Sequence, residues 1–182
     1  FPGASHKTLT KMALLGVDCD HEAMTGKEVV ERLSAGFATS LRYSSIRPDL
    51  PKLLRELQEL GLKNFERITF NTDGSTPAFY EQGMQDRLVE IALKEGIPSE
   101  EAYAMVSSNV ASHYGLDDTL GMIAPGRLAH INILESIDNP RPVSVIAKGQ
   151  WVLTNKKTTY PDIDIDWESF GFTPLKLDFD LK

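Results

Sequence analysis

The sequence has 182 residues, of which 41% are hydrophobic and 25% are charged, and its net charge is -7. These values are ordinary for a soluble globular protein of one domain or slightly more. The negative charge argues against general binding to nucleic acids or anionic membranes, because both favour clustered Lys and Arg. The sequence has neither an apolar run that could cross a bilayer nor a signal-peptide pattern. Its single cysteine, Cys19, excludes an internal disulfide and favours a cytoplasmic location.

Both ends of the sequence suggest an internal piece of a longer protein. The chain opens on Phe1–Ser5 without an initiator Met and enters a helical pattern within a few residues. It stops at Lys182 on an alternation of apolar and charged residues that is typical of an unfinished strand. We therefore expect further chain beyond both ends.

Strand and helix patterns alternate over the first 115 residues. The predicted strands are a short one that ends at His21, then Phe37–Arg42 and Arg67–Thr72. The predicted helices are Thr8–Leu15, Gly26–Ala35, Leu50–Leu60, Arg87–Lys94, a short one that begins at Pro98 with Ser99 as its cap, and Ser107–Tyr114.

The second helix begins with a recognisable cap. Thr25 and Glu28 form the T-x-x-E pattern, in which each side chain accepts a hydrogen bond from a free backbone amide at the helix start. The helical spacing then predicts that Val29, Val30 and Leu33 are buried.

Short βα units in succession indicate a parallel sheet. Three units are too few to close a barrel. We therefore predict an α/β fold in which residues 1–115 form the last part of a (β/α)8 TIM-like barrel.

The pattern changes after Gly115, where predicted strands follow one another without helices between them. They cover Leu128–Leu134, Val143–Ala147 and Gln150–Leu153. We interpret residues 116–154 as part of a small antiparallel layer that flanks the barrel, and residues 155–182 as a polar, acidic tail or linker. In that tail Asp162, Asp164 and Asp166 alternate with isoleucines, which favours a solvated edge or linker over a calcium loop.

His21 is the sharpest candidate for a functional residue. It ends a strand that also carries Asp18 and Asp20, with Glu22 next to it. An imidazole at the carboxyl end of a barrel strand is a common ligand for zinc, iron or manganese. The alternative is a hydrogen-bonded histidine at the rim of the sheet.

Asp73 follows a later strand of the same repeating pattern and precedes Gly74. A carboxylate at that place can bind a metal and accept a proton from an activated water. The alternative is a plain turn, because Asp-Gly is a common turn pair.

The remaining candidates carry weaker signals. Arg42 and Ser45 lie at the end of the middle strand, where we expect them to contact the substrate. The alternative is an ion pair with the acidic rim. We expect Cys19 to be a core residue, because it faces away from Asp18 and Asp20 under two-residue alternation. We expect His6 on the surface and His113 and His130 in structural roles.

Several segments together resemble the adenine deaminases of the amidohydrolase superfamily. That family shows Gly-His-x-Pro-Gly, a helix and then Ser-Asp-His-Glu, and Phe1–Ser5 and Asp20–Glu22 match the parts of this pattern that the chain contains. Gly121–Ala129 is similar to the Gly-x-Ile-x-x-Gly-x-x-Ala-Asp signature of the superfamily. Further matches are Leu41-Arg42, Ser45, Asp49-Leu50, Thr72-Asp73 and the Asn109–Leu116 helix.

The resemblance implies that His21 is a metal ligand on the sixth barrel strand and that Asp73 is a metal-associated acid/base on the eighth. The family's other ligands would lie upstream of Phe1. The implied cofactor is a divalent metal, manganese or iron first and zinc as the alternative. The implied reaction is hydrolytic deamination of adenine to hypoxanthine and ammonia.

The sequence departs from the family pattern at three positions. Gly74 stands where a second Asp is usual, Met84 where His is usual, and His130 where superfamily members have Asp. Two alternatives therefore stay open: an amidohydrolase that acts on another aminopurine or a cyclic amide, and a non-catalytic half-barrel scaffold. We predict that the 182 residues are inactive alone and that the full-length protein is a homo-oligomer with a purine substrate and neither nucleic acid nor membrane as partner.

Overall fold

A computed structural model of the chain describes residues 1–159 and 165–171. The helices are α1 (His6–Leu14), α2 (Gly26–Ser34), α3 (Leu50–Glu59), α4 (Pro77–Tyr80), α5 (Gln85–Lys94), α6 (Ser99–Ala104) and α7 (Ser108–His113), and a 3-10 turn covers Trp167–Phe170. The strands are β1 (Cys19–Asp20), β2 (Ala38–Arg42), β3 (Ile68–Asn71), β4 (Ile131–Ile133), β5 (Ser144–Ala147), β6 (Gln150–Thr154) and β7 (Lys157–Thr158). The mixed α/β architecture predicted from the sequence is confirmed.

The first sheet is parallel, with the strand order β1-β2-β3. Cys19 pairs with Ala38, and Arg42 pairs with Asn71, so the three strands run in register toward one common edge. The helices α2, α3 and α5 lie in sequence between and after these strands and pack against them and each other. The strands are slightly shorter than predicted: β2 lacks Phe37, and β3 lacks Arg67 and Thr72.

The core lies between this sheet and its helices. The leucine face of α3 is buried, with the exception of Leu60, which follows the helix and is exposed. Each buried leucine side chain stabilises the fold by about 1.5–3 kcal/mol. The cluster includes residues of α3, of the strands and of α5, among them Leu50, Leu53, Leu54, Leu57, Leu41, Ile68, Phe70, Leu88, Val89, Ile91 and Ala92.

The start of α2 follows the predicted cap. The backbone amide of Glu28 donates to Thr25 Oγ1 at 3.2 Å, and the Glu28 carboxylate accepts from the amide of Met24 at 2.7 Å. The capping prediction for α6 is wrong, because Ser99 is the first helical residue and Pro98 occupies the cap position.

A buried ion pair joins α2 to β1. Arg32 Nε donates to Asp20 Oδ1 at 2.8 Å, and both side chains are fully inaccessible to solvent. The helical face therefore differs from the predicted one, since Val29 and Arg32 are buried whereas Val30 and Leu33 are only partly covered. Hydrophobic spacing cannot find a buried arginine, because its burial depends on a partner carboxylate elsewhere in the chain.

The second sheet is antiparallel, with the strand order β4-β5-β6-β7. Two-residue turns, Lys148-Gly149 and Asn155-Lys156, connect the last three strands. Both residues of each turn have positive φ, which is the geometry of a type I′ hairpin. The strand β7 lies in the segment expected to be a tail, so the layer extends to Thr158. Asp162 and Asp164 lie outside the described residues. Within the described ranges, none of the helices has the length and apolar character to span a membrane.

Cys19 is exposed, so its predicted place in the core is wrong. Asp20 points toward the helices, whereas Cys19 lies on the other face of the sheet, where it lines a cavity with residues of β2, β3 and α7. Cys19 faces away from Asp20, as predicted, but not from Asp18, whose carboxylate oxygen lies within 4.8 Å of the Cys19 sulfur. The face of the sheet that the helices cover was not predicted correctly.

Candidate functional site

Charged side chains meet at the carboxyl edge of the parallel sheet. His21 and Glu22 directly follow β1, Arg42 is the last residue of β2, and Asp73 comes two residues after β3. Because parallel strands end at the same edge, side chains from three separate segments come together there. We refer to His21, Glu22, Arg42 and Asp73 as the rim cluster.

Arg42 is the centre of the rim cluster. Its guanidinium donates to both carboxylate oxygens of Glu22, at 3.2 and 3.0 Å, and also to Asp73 Oδ2. The Arg42 side chain is only 6% exposed, so these contacts are shielded from water on the arginine side. A planar, bidentate arginine holds a carboxylate in a fixed orientation, and Arg42 thereby fixes the relative positions of two strand ends.

Asp73 adopts a left-handed backbone conformation, with φ of 51°, which aspartate tolerates better than most residues. Its own amide donates to Asn71 Oδ1 at 3.1 Å, and the amide of Gly74 donates to Asp73 Oδ1 at 2.8 Å. The turn that the Asp-Gly pair predicts is therefore present. It leaves the carboxylate in the cavity beside β1 and β2, so the turn and the proposed site are compatible.

His21 stands at the mouth of the same cavity. The cavity has a volume of about 300 Å³ and is lined by His21, Asp73, Ser40, Asn71 and His113, among others. The His21 Nε2 atom lies 3.3 Å from Glu22 Oε1, and the His21 side chain is 59% exposed. The exposed imidazole can reach a metal or substrate that enters the cavity, although its Nε2 atom already contacts Glu22.

The rim carboxylates are held in their charged forms. A hydrogen bond from Arg42 is the main cause that lowers the pKa of Asp73, helped by the amide of Gly74. Hydrogen bonds from Arg42 and Arg47 likewise lower the pKa of Glu22. Burial alone would lower the pKa of Arg42, but its bonds to Glu22 and Asp73 outweigh burial and raise it.

A second arginine extends the rim cluster and was missed from the sequence. Arg47 donates to Glu22 Oε2 at 2.8 Å and also pairs with Asp49 at 2.8 Å. Glu22 was noted as a neighbour of His21 but not as a site residue. The only available signal was the close spacing of Arg42, Arg47 and Asp49 after the middle strand, which does not reveal that both arginines reach Glu22.

Ser45 lies beside the rim cluster rather than within it. Its backbone amide donates to Ser75 Oγ at 3.1 Å, and the residue is exposed. Ser75 in turn donates to the carbonyl of Thr72 at 2.7 Å. The serine pair thus ties the loop after β2 to the turn that carries Asp73.

The donor types of the rim cluster fit a divalent metal. Imidazole and carboxylate are the usual ligands for zinc, manganese and iron, and His21 and Asp73 bring one of each to one cavity. Two protein ligands do not complete a catalytic centre, which commonly uses three or more. Asp73 is also shared with Arg42, so a metal would compete with the guanidinium for Oδ2.

Of the other three histidines, His113 lines the same cavity, whereas His6 and His130 do not. His6 is exposed at the start of α1, as predicted. His130 is exposed beside the antiparallel layer. His113 is half-buried and lies near Asp18 and Cys19, a proximity that the sequence did not indicate.

Parallel βα units with acid/base side chains at their carboxyl edge define a class of α/β enzymes of the barrel type. The sequence profile described as the amidohydrolase family matches residues 4–152, and the chain belongs to that family.

Curated relatives extend the likeness over the whole chain. A protein of Halalkalibacterium halodurans with the provisional name adenine deaminase is 59% identical over all 182 residues, which span 31% of its length. The protein named adenine deaminase 1 of Desulfotalea psychrophila is 32% identical over 160 residues, 87% of this chain and 27% of the relative. The chain thus spans about a third of the length of these relatives.

Among solved structures, a β-aspartyl dipeptidase from Fervidobacterium islandicum superposes with a TM-score of 0.60 at 21% identity. The superposition covers 76% of this chain and 39% of the dipeptidase. This likeness concerns the fold.

Proposed function

We propose that the chain is the C-terminal part of the catalytic barrel of a metal-dependent aminohydrolase that converts adenine to hypoxanthine and ammonia. The observation that carries the proposal is the convergence of His21, Glu22, Arg42 and Asp73 at one edge of the parallel sheet. The names of the curated relatives support the choice of adenine.

In the proposed reaction a water oxygen bonds to the purine carbon that bears the amino group, and the carbon–nitrogen bond then breaks. Asp73 accepts a proton from the water and returns a proton to the departing nitrogen, so ammonia leaves and the carboxylate is regenerated. A divalent metal held by His21 and Asp73, with ligands from outside this chain, supplies the activation of the water when bound. Manganese or iron is the proposed metal, with zinc as the alternative.

Arg42 sets the basicity of Asp73. Because its hydrogen bond lowers the pKa of Asp73, the carboxylate accepts a proton less readily while the pair is intact. We therefore assign Arg42 and Glu22 a positioning role: they hold Asp73 and His21 in the cavity before substrate enters. A direct contact of Arg42 with the purine stays a prediction, since its terminal nitrogens are already engaged by Glu22 and Asp73.

Ser45 is the second proposed substrate contact. Its amide is bonded to Ser75, which fixes the loop at the rim while the exposed hydroxyl stays available. A purine edge presents both donors and acceptors, and a serine hydroxyl can satisfy either.

A second candidate is an amidohydrolase that acts on another aminopurine or a cyclic amide. Gly74 and Met84 favour it, because both differ from the adenine deaminase pattern. Gly74 contributes only a backbone amide to the site, and Met84 presents an exposed apolar side chain at the start of α5. The third candidate, a scaffold without catalysis, predicts no bound metal. Cytoplasmic location and homo-oligomerisation of the longer protein remain proposals.

The test is ammonia release from adenine by a protein of the relatives' length that contains this chain, loaded with manganese or iron. We expect release that His21→Ala abolishes and that His6→Ala, at an exposed surface position, leaves unchanged. Release of ammonia only from a different aminopurine, or ring opening of a cyclic amide without ammonia release, would move the assignment to the second candidate. If the protein retains no metal after loading and shows no turnover, the scaffold is favoured.

A further inference from the structure

Three side chains with metal-binding atoms meet outside the rim cluster. The ligand atoms of Asp18, Cys19 and His113 all lie within 4.8 Å of one another. Asp18 and Cys19 are consecutive at the start of β1, whereas His113 is the last residue of α7, more than ninety positions later. Such a convergence of carboxylate, thiol and imidazole requires the fold to bring two distant segments together.

Both segments are anchored to the same sheet. The carbonyl of Asp18 accepts a hydrogen bond from the amide of Ala38 at 2.7 Å, which fixes the start of β1 on β2. On α7, the buried side chain of Asn109 donates to the carbonyls of Phe65 and Ile68 at 2.8 and 2.9 Å. These bonds hold the helix at the beginning of β3, with His113 one helical turn further on.

The three side chains face cavities that a small ligand can enter. Asp18 and His113 line a cavity of about 230 Å³ together with Glu66, Arg67 and Thr69. Neither His21 nor Asp73 lines that cavity. The three ligands therefore lie on the amino-terminal side of the sheet relative to the rim cluster, with Cys19 and His113 also bordering the larger cavity.

Thiolate, imidazole and carboxylate are the ligand types that zinc prefers, and zinc binds them in tetrahedral geometry. With Zn–S near 2.3 Å and Zn–N near 2.0–2.1 Å, neighbouring ligand atoms in such a site are about 3.5 Å apart. Because the three ligand atoms lie within 4.8 Å of one another, no separation has to close by more than about 1 Å. Asp18 and Cys19 are exposed, so rotation of their side chains can provide this movement.

We propose that Asp18, Cys19 and His113 form a zinc site, with water as the fourth ligand, that fastens α7 to β1. The site is separate from the metal centre of the proposed reaction. Bound zinc would link the helix that follows the parallel sheet to the first strand of that sheet.

The test is a cobalt titration of this chain, because cobalt occupies zinc sites and reports a bound thiolate by charge-transfer absorption in the near ultraviolet. Cys19 is the only thiol in the sequence, so that band has a single possible source. We expect one cobalt ion per chain with a thiolate band that zinc displaces. Cys19→Ser should abolish the band, and His113→Gln and Asp18→Asn should each weaken binding by about tenfold or more.

Two further measurements separate this site from the rim cluster and from loss of folding. His21→Ala should leave the thiolate band unchanged, and His113→Cys should restore a thiolate site with stronger charge-transfer absorption. Zinc should also slow alkylation of Cys19 in the wild-type chain and not in His113→Gln, with circular dichroism used to compare the folds. A chain without a thiolate band, or a His113→Gln variant that binds like the wild type, would overturn the proposal.

Discussion

One arginine–carboxylate cluster lies on the helix-facing side of β1 and another at its carboxyl end, and the two differ in their access to water. Behind the strand, Asp20 and Arg32 form a pair in which neither side chain is exposed. At the carboxyl edge, the Arg42 side chain is 6% exposed, but its partners Glu22 and Asp73 remain 25% and 45% exposed. The same chemistry thus fastens a helix to a strand in one place and keeps carboxylates open to a cavity in the other.

The difference follows from sheet geometry. Asp20 lies within β1 and points toward α2, so its charge must be satisfied inside the protein. Glu22 and Asp73 lie beyond the strand ends, where the backbone turns away and a cavity begins. A buried pair contributes to holding the fold together, whereas a half-exposed carboxylate can exchange its arginine for another partner. The first cluster should therefore govern stability and the second should govern activity.

The largest effect is expected from Asp20→Ala, which leaves the Arg32 guanidinium buried without its carboxylate. Removal of one partner of a buried ion pair typically costs about 3–5 kcal/mol of unfolding free energy. Urea unfolding of the 182-residue chain, followed by circular dichroism, measures the loss. The matched control is the double variant Asp20→Ala, Arg32→Met, which removes both charges and should recover part of the stability. A loss below about 1 kcal/mol, as for a surface pair, would contradict the comparison.

Asp73→Asn should have the opposite effect to Asp20→Ala, with little change in stability and a large loss of activity. Because Asp73 is half-exposed, we expect its ion pair with Arg42 to contribute at most about 1 kcal/mol to stability. In a protein of the relatives' length, the same change should lower the turnover of adenine by about 100-fold or more, since the general acid/base is lost.

The control for Asp73→Asn is Glu90→Gln on the surface of α5. Glu90 also pairs with two cations, Arg87 and Lys94, at 2.6 Å each, and these pairs lower its pKa. The control should show a similarly small change in stability with activity retained. Equal loss of activity in both variants, or unfolding of Asp73→Asn, would show that the rim cluster is structural.

The sequence predicted the placement of the site better than its contacts. His21 and Asp73 were expected at one edge, because both follow strands of a parallel sheet and parallel strands share an edge. The burial of Arg32 was not predictable, since nothing in the local pattern of α2 reveals that Asp20 faces it. Cys19 was assigned to the wrong environment for a related reason: alternation gives two faces but not which one the helices cover.

Long-range proximity was likewise beyond the sequence. His113 meets Asp18 and Cys19 only because Asn109 holds α7 at the start of β3, and no periodicity encodes that contact. The same limit applies to Arg47, whose spacing from Arg42 gives no indication that both reach Glu22.

The smallest effect is expected in the pH dependence of the unfolding free energy. One pH titration of stability reports on Asp20 in the buried pair and on Asp73 in the rim cluster. Burial raises the pKa of Asp20, but hydrogen bonds from the Phe1 ammonium, the Glu22 amide and Arg32 outweigh it and lower the pKa overall. A carboxyl whose pKa is lower in the folded state takes up a proton on unfolding in acid, so its contribution is complete above about pH 5 and is lost as the pH falls through the folded pKa. Unfolding free energy should therefore be flat near neutrality and fall in acid.

The slope in acid should be smaller in Asp20→Asn and in Asp73→Asn than in the wild type, because each variant removes one such carboxyl. Parallel curves for wild type and Asp20→Asn would show that Asp20 titrates alike in both states and would remove the electrostatic basis of the comparison.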